Sequence, residues 1–144
     1  MTQTNPKSPF MVVQRSGKLT VSSGSAWEPK IGYSRAVKKG NMIFVSGCVG
    51  INEDKTFSPD VAVQTRRSLA IIQGALEALG ATVADVVSTR MYLADISQWE
   101  KVATIHGEVF GDIRPATVMV EVSKLIDDAA LIEIEATAMV GVCD

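Results

Sequence analysis

The chain has 144 residues, 47% hydrophobic and 21% charged, with a formal net charge of −2 and two cysteines. That is the size and mixture of one globular domain, able to bury about 68–70% of its unfolded surface without disulfide or metal staples. It excludes a disulfide framework and a bilayer-spanning helix, which needs about 20 apolar residues in a row, and it offers no basic stripe for a phosphate backbone.

Residues 1–18 read as an N-terminal extension, polar except for an apolar patch from Phe10 to Val13 and without a signal-peptide cleavage pattern. Residues 19–144 read as a single domain, because no repeat or low-complexity linker interrupts them. Cys48 and Cys143 are expected to be free thiols, and the protein is expected to be cytoplasmic.

The first clear elements are Ser34 to Lys39 and Met42 to Val49, a β-hairpin closed by Gly40-Asn41. A polar connection, Ile51 to Ser58, follows. Pro59-Asp60 then opens a long helix with Leu69, Ile72, Leu76 and Leu79 at helical spacing, stopped by Gly80. Val86 to Leu93 is the next strand. Ser97-Gln98-Trp99-Glu100 has the form of a capping box for a second helix reaching about Phe110, with Trp99, Val102, His106 and Val109 as its buried stripe. Thr117 to Val122 and Leu131 to Val140 complete the strands. In the last of these, Ile132, Ile134, Ala136, Ala138 and Val140 alternate with Glu133, Glu135, Thr137 and Met139.

This order predicts an α+β (α/β) domain in which two helices cover one face of a mixed sheet. On the other face the pattern places Thr117, Met119 and Glu121 beside Glu133, Glu135 and Met139. Carboxylates mixed with large apolar groups suit an oligomer interface with clefts.

Five segments carry a resemblance to a known family. Gly32-Tyr33-Ser34-Arg35-Ala36-Val37, Val45-Ser46-Gly47, Gln64-Thr65-Arg66-Arg67-Ser68-Leu69, Val122-Ser123-Lys124-Leu125 and Ile132-Glu133-Ile134-Glu135-Ala136 occur in the order and spacing of the Rid (YjgF) imine deaminases. The resemblance runs from about Leu19 to Val142. It implies a fold similar to that of the trimeric chorismate mutases, with three sheets around a central barrel and active sites in the clefts between subunits. It also implies hydrolysis of small enamines and imines to a carbonyl product and ammonia, with no metal and no organic cofactor.

Carried over by motif, Glu133 is the catalytic carboxyl that handles water and proton, Tyr33 is the pocket tyrosine, and Ser46 and Gly47 form the pocket wall. The pattern departs at Pro115-Ala116-Thr117, where the best-known members carry an arginine that clamps the substrate carboxylate. Threonine cannot make that bidentate, charge-assisted pair. Thr117 therefore enters the substrate-binding set as a replacement, with Arg114 and Arg90 as the available cations. Ala103 and His106 also stand where the family commonly has other residues.

Plainer readings accompany these. Alternating acids on a strand are ordinarily a solvated face, and Glu135 is read as structural. The one histidine, His106, is read as a packed helix residue, and it gives no metal-ligand spacing with the distant cysteines. Cys48 has no histidine near it in sequence to activate a thiolate. Three classes of function follow, namely an imine or enamine hydrolase, a trimer that binds a small ligand without chemistry, and a ribonuclease or translation inhibitor. The last fits the acidic balance worst.

Overall fold

The computed structural model describes residues 2–4 and 8–141. Cys143 and Val142 lie outside the described residues. Among these residues eight strands form one sheet: β1 (Thr2–Thr4), β2 (Met11–Arg15), β3 (Lys18–Ser22), β4 (Ala36–Lys39), β5 (Met42–Val49), β6 (Val86–Leu93), β7 (Ala116–Glu121) and β8 (Ile132–Met139). Their spatial order is β1-β2-β3-β4-β5-β8-β6-β7. Helices α1 (Trp27–Ile31), α2 (Val61–Ala78) and α3 (Trp99–Phe110) complete the fold.

The mixed sheet follows from two crossovers. Strand β6 leads through α3 to β7, its parallel neighbour. Strand β5 leads through α2 to β6, but β8 enters between them and pairs antiparallel with both. The last strand thereby lies in the interior of the sheet, flanked by β5 and β6. Its alternation is explained by this position: Ile132, Ile134, Ala136 and Ala138 are buried beneath the helices, while Glu133, Glu135 and Thr137 point to the opposite face.

Helix α2 begins where the sequence places it. Asp60 caps it by accepting from the Ala62 N–H at 2.8 Å, and Gly80 follows with φ of 79°. Its buried side includes Leu69, Ile72 and Leu76. Gln64, fully buried in this helix, donates to the Ser58 and Ala129 carbonyls and accepts from the Leu131 N–H. One amide thus pins the loop that delivers β8 and helps fix its register.

Several expectations are corrected. The Ser97 to Glu100 capping box does not form: Gln98 is the cap residue of α3 and gives no side-chain bond, while Asp95 accepts from the Ser97 N–H at 3.0 Å and caps a short 3₁₀ turn instead. That turn rotates the helix, so its buried residues are Val102, Ile105 and Phe110 and Trp99 is exposed. The hairpin strand begins at Ala36 rather than Ser34. The patch Phe10–Val13 leads into β2, which pairs antiparallel with β3, and Phe10 packs on α2 where Gly74 leaves room for its ring. Helix α1 has no counterpart in the sequence reading.

The face of β7 is also corrected. Thr117 is in register with Thr89, and Met119 with Met91, residues that point to the helices. Val118 and Val120 are in register with Arg90 and Tyr92 and occupy the open face, 47% and 39% exposed. A one-residue shift in parity moves every side chain of a strand to the other face.

Candidate active site

The open face carries Glu133 on β8, in register with Val49 and beside a break in the β5–β8 ladder that lies opposite Glu135. Val45 pairs with Ala136 and Cys48 with Ile134, so the Ser46-Gly47 pair forms a bulge. Bulges bend a strand and re-aim its side chains. Ser46 is held on both sides, its N–H donating to the Arg35 carbonyl at 2.9 Å and its hydroxyl to the Ser34 carbonyl at 2.6 Å. Gly47 lies directly beneath the Glu133 carboxyl: a Cβ there would stand 2.5 Å from Oε1. Only glycine lets the carboxyl rest on the bulge.

Tyr33 reaches the same place by another route. Gly32, with φ of 86°, ends α1, and the Tyr33 N–H donates back to the Glu28 carbonyl at 3.0 Å. The buried Glu28 carboxylate accepts from the Ser23 N–H and hydroxyl, which ties α1 to the end of β3. From this anchored turn the Tyr33 hydroxyl meets Arg35 Nη2 at 3.3 Å. Sequence reasoning passed over Arg35 as a site residue. It donates to the Gly47 carbonyl at 2.7 Å and to Cys48 Sγ at 3.3 Å, knitting the tyrosine to the bulge.

The electrostatics follow from this packing. Glu133 is half-buried, and loss of water raises its pKa above the ordinary glutamate value; Arg35 draws it partly back and Glu135 pushes it up again. Burial also raises the pKa of Cys48, against the pull of Arg35. Its thiol donates to the Ser46 carbonyl at 3.2 Å, a structural thiol and not a nucleophile.

Two positions along β8 the environment changes. Glu135 accepts from Arg90 Nε at 2.9 Å and from the Tyr92 hydroxyl, while Arg90 also donates to Ser88 and Thr137. Burial works to raise the Glu135 pKa, but the Tyr92 and Arg90 hydrogen bonds outweigh it and hold the carboxylate below its ordinary value. Arg90 is thus committed to an ion pair.

The remaining expected residues lie elsewhere. Thr117 is exposed at the start of edge strand β7, two strands from β8, about 10 Å across the sheet, and on the opposite parity to Glu133. Its hydroxyl accepts from Thr89 at 2.8 Å, and Thr89 meets His106 Nε2 at 2.9 Å. His106 stacks at 4.6 Å on Phe110, and burial lowers its pKa, which makes it a neutral packing residue. Arg114, exposed with φ of 55°, turns back to donate to the Gly111 carbonyl at 3.1 Å. The structure therefore brings together Tyr33, Ser46, Gly47 and Glu133, with Arg35, and leaves Thr117 and Arg114 apart. A groove of about 160 Å³ between α2 and α3, lined by Leu69 and Val109 among others, is on the far side of the sheet from Glu133.

Among the described residues no three metal-ligating side chains cluster, and no helix is long and apolar enough to cross a membrane. The arrangement offers a half-buried carboxyl with a raised pKa beside fixed backbone and hydroxyl groups. That is the equipment for adding water to an electrophilic carbon.

A family model described as endoribonuclease L-PSP matches residues 23–140. The chain is similar to a RutC family protein of Pyrococcus horikoshii, 38% identical over 84% of this chain and 97% of the relative. It is also similar to the 2-iminobutanoate/2-iminopropanoate deaminase of Escherichia coli, 36% identical over 74% of this chain and 86% of that one. Among solved structures, a member of the YjgF/YER057c/UK114 family from Mycobacterium tuberculosis superposes with a TM-score of 0.80 at 49% identity, covering 85% of this chain and 99% of its own.

Proposed function

This chain belongs to the YjgF (Rid) family, and from that premise we propose that it hydrolyses reactive imines and enamines to a carbonyl product and ammonia, with Glu133 as the catalytic carboxyl. The observation that carries the reading is the half-buried Glu133 carboxyl, seated on Gly47 and without an ion-pair partner among the described residues. A carboxyl whose pKa is lifted toward neutrality can both accept and return a proton.

The chemistry asks little else of the protein. Water attacks the imine carbon while Glu133 takes one of its protons. The C=N bond becomes a C–N bond, and the nitrogen gains a proton. Collapse of the resulting carbinolamine breaks C–N and forms C=O, and both hydrogens of the water leave on ammonia. Tyr33, Ser46 and Gly47 wall the substrate in, and no resident metal or organic cofactor takes part.

On this reading the protein works in the cytoplasm as a homotrimer. The open sheet face exposes Phe44, Val118, Val120 and Met139, which a second copy would cover. Thr117 and Arg114, at the β7 edge, would then enter a site only from the neighbouring copy. The test is a panel of imines generated by amino-acid oxidases in the presence of semicarbazide. Wild type should outpace trapping, and Glu133→Gln should lose about 10²–10⁴-fold of the rate. No acceleration across the panel would favour a trimer that binds a small ligand without chemistry.

A further inference from the structure

We propose that Arg35 is a specificity-determining residue of this site, its guanidinium gripping a carboxylate on the imine substrate and presenting the imine carbon to Glu133. This rests on the hydrolase reading above. The geometry has three parts. First, Arg35 immediately precedes β4, and its guanidinium reaches the Gly47 carbonyl, beside the glycine on which the Glu133 carboxyl rests. Second, the guanidinium is fixed before any ligand arrives, by the Tyr33 ring at 5.6 Å, the Tyr33 hydroxyl, the Gly47 carbonyl and Cys48 Sγ.

Third, these bonds leave donors over. A guanidinium has five N–H groups. Two of Nη1 and one of Nη2 are engaged, and Nε–H and the second Nη2 hydrogen meet no acceptor among the described residues. No carboxylate among the described residues lies within ion-pair distance of it either, whereas Arg66 is paired with Glu108 and Arg90 with Glu135. A half-buried, preorganised guanidinium with two N–H groups to spare is a site for a planar anion. Arg35 and Glu133 both meet at Gly47, one on its carbonyl and one over its α-carbon. An imine bonded directly to a carboxylate is short enough to engage the two together, which the more distant Arg114 and Arg90 do not offer.

The test compares two imines with the same side chain, one made from 2-aminobutyrate by an amino-acid oxidase and one made from the corresponding amine by a flavin amine oxidase. Wild type should prefer the carboxylate-bearing imine in kcat/KM. In Arg35→Gln that preference should fall about ten- to hundredfold, the loss expected for a hydrogen-bonded charge, and Arg35→Lys should restore part of it. Calorimetric binding of 2-oxobutanoate should weaken in parallel. A purely structural role for Arg35 would lower both rates together and leave the preference intact, which overturns the proposal. If wild type hydrolyses neither imine, the hydrolase reading fails, and unchanged 2-oxobutanoate binding in Arg35→Gln would separately remove Arg35 from ligand recognition. Should Arg35→Gln not fold, Arg35→Lys decides, since a point charge in place of the fork predicts a reduced preference and an undiminished one contradicts it.

Discussion

Glu133 and Glu135 are the same residue type on the same strand and the same face, yet their neighbourhoods push them in opposite directions. Glu135 is met by a guanidinium and a phenol and is held as a carboxylate. Glu133 rests on a glycine bulge, with its nearest cation turned toward the Gly47 carbonyl, and burial lifts its pKa. The partner set, not the residue or the strand pattern, separates an acid that locks the sheet from one free to exchange a proton.

The contrast can be broken most severely at the bulge. Gly47→Ala places a methyl group against the Glu133 carboxyl, and because the obstacle is the end of a flexible side chain, the fold should persist while the carboxyl moves. A misplacement of that size should cost about 10²-fold in kcat, with unchanged circular dichroism. A variant of wild-type activity would mean that the seat on Gly47 is irrelevant.

At the other carboxyl the effects should be small. Arg90→Met removes an ion pair whose side chains are 32% and 31% exposed, so solvent screening limits its worth. Denaturant melts should show a loss of about 1 kcal/mol or less, and imine turnover should stay within about threefold.

A subtler effect concerns stability against pH. Because burial raises the folded-state pKa of Glu133, the folded protein holds that proton more readily than the unfolded chain. The resulting cost is absent in acid and fully present once pH passes the raised value. Glu133→Gln removes it, so the variant should melt on the order of a few degrees above wild type at pH 8, with the gap closing toward pH 4. A variant that melts below wild type at pH 8, with the deficit closing in acid, would show that Glu133 is stabilised as a carboxylate.

Much of the fold was legible because long periodic segments depend on few contacts. The alternation of β8 and the spacing of Leu69, Ile72 and Leu76 each need only a face to bury, and both are found where expected. Strand β7 was read on the wrong parity because, at an edge, Val118 and Val120 on one side and Thr117 and Met119 on the other give no clean signal. Helix α3 was rotated because Asp95, not Ser97, provides the cap, a competition between two short side chains that sequence does not rank.

The candidate site was half legible. Tyr33, Ser46, Gly47 and Glu133 carry the family motifs, and the structure links Tyr33 to the Glu133 seat through Arg35 and Gly47. Arg35, inside the same motif, was missed because its role depends on a carbonyl that only the bulge at Ser46-Gly47 turns toward it. A guanidinium one residue before a core alanine, close behind the motif tyrosine Tyr33, was the available signal.

The most direct test is a side-by-side measurement of 2-iminobutanoate hydrolysis by wild type, Glu133→Gln and Glu135→Gln, each confirmed as folded. Turnover should collapse with Glu133→Gln and remain within about tenfold of wild type with Glu135→Gln. Equal losses in the two variants, or full activity in Glu133→Gln, would contradict the division of labour between the two carboxyls.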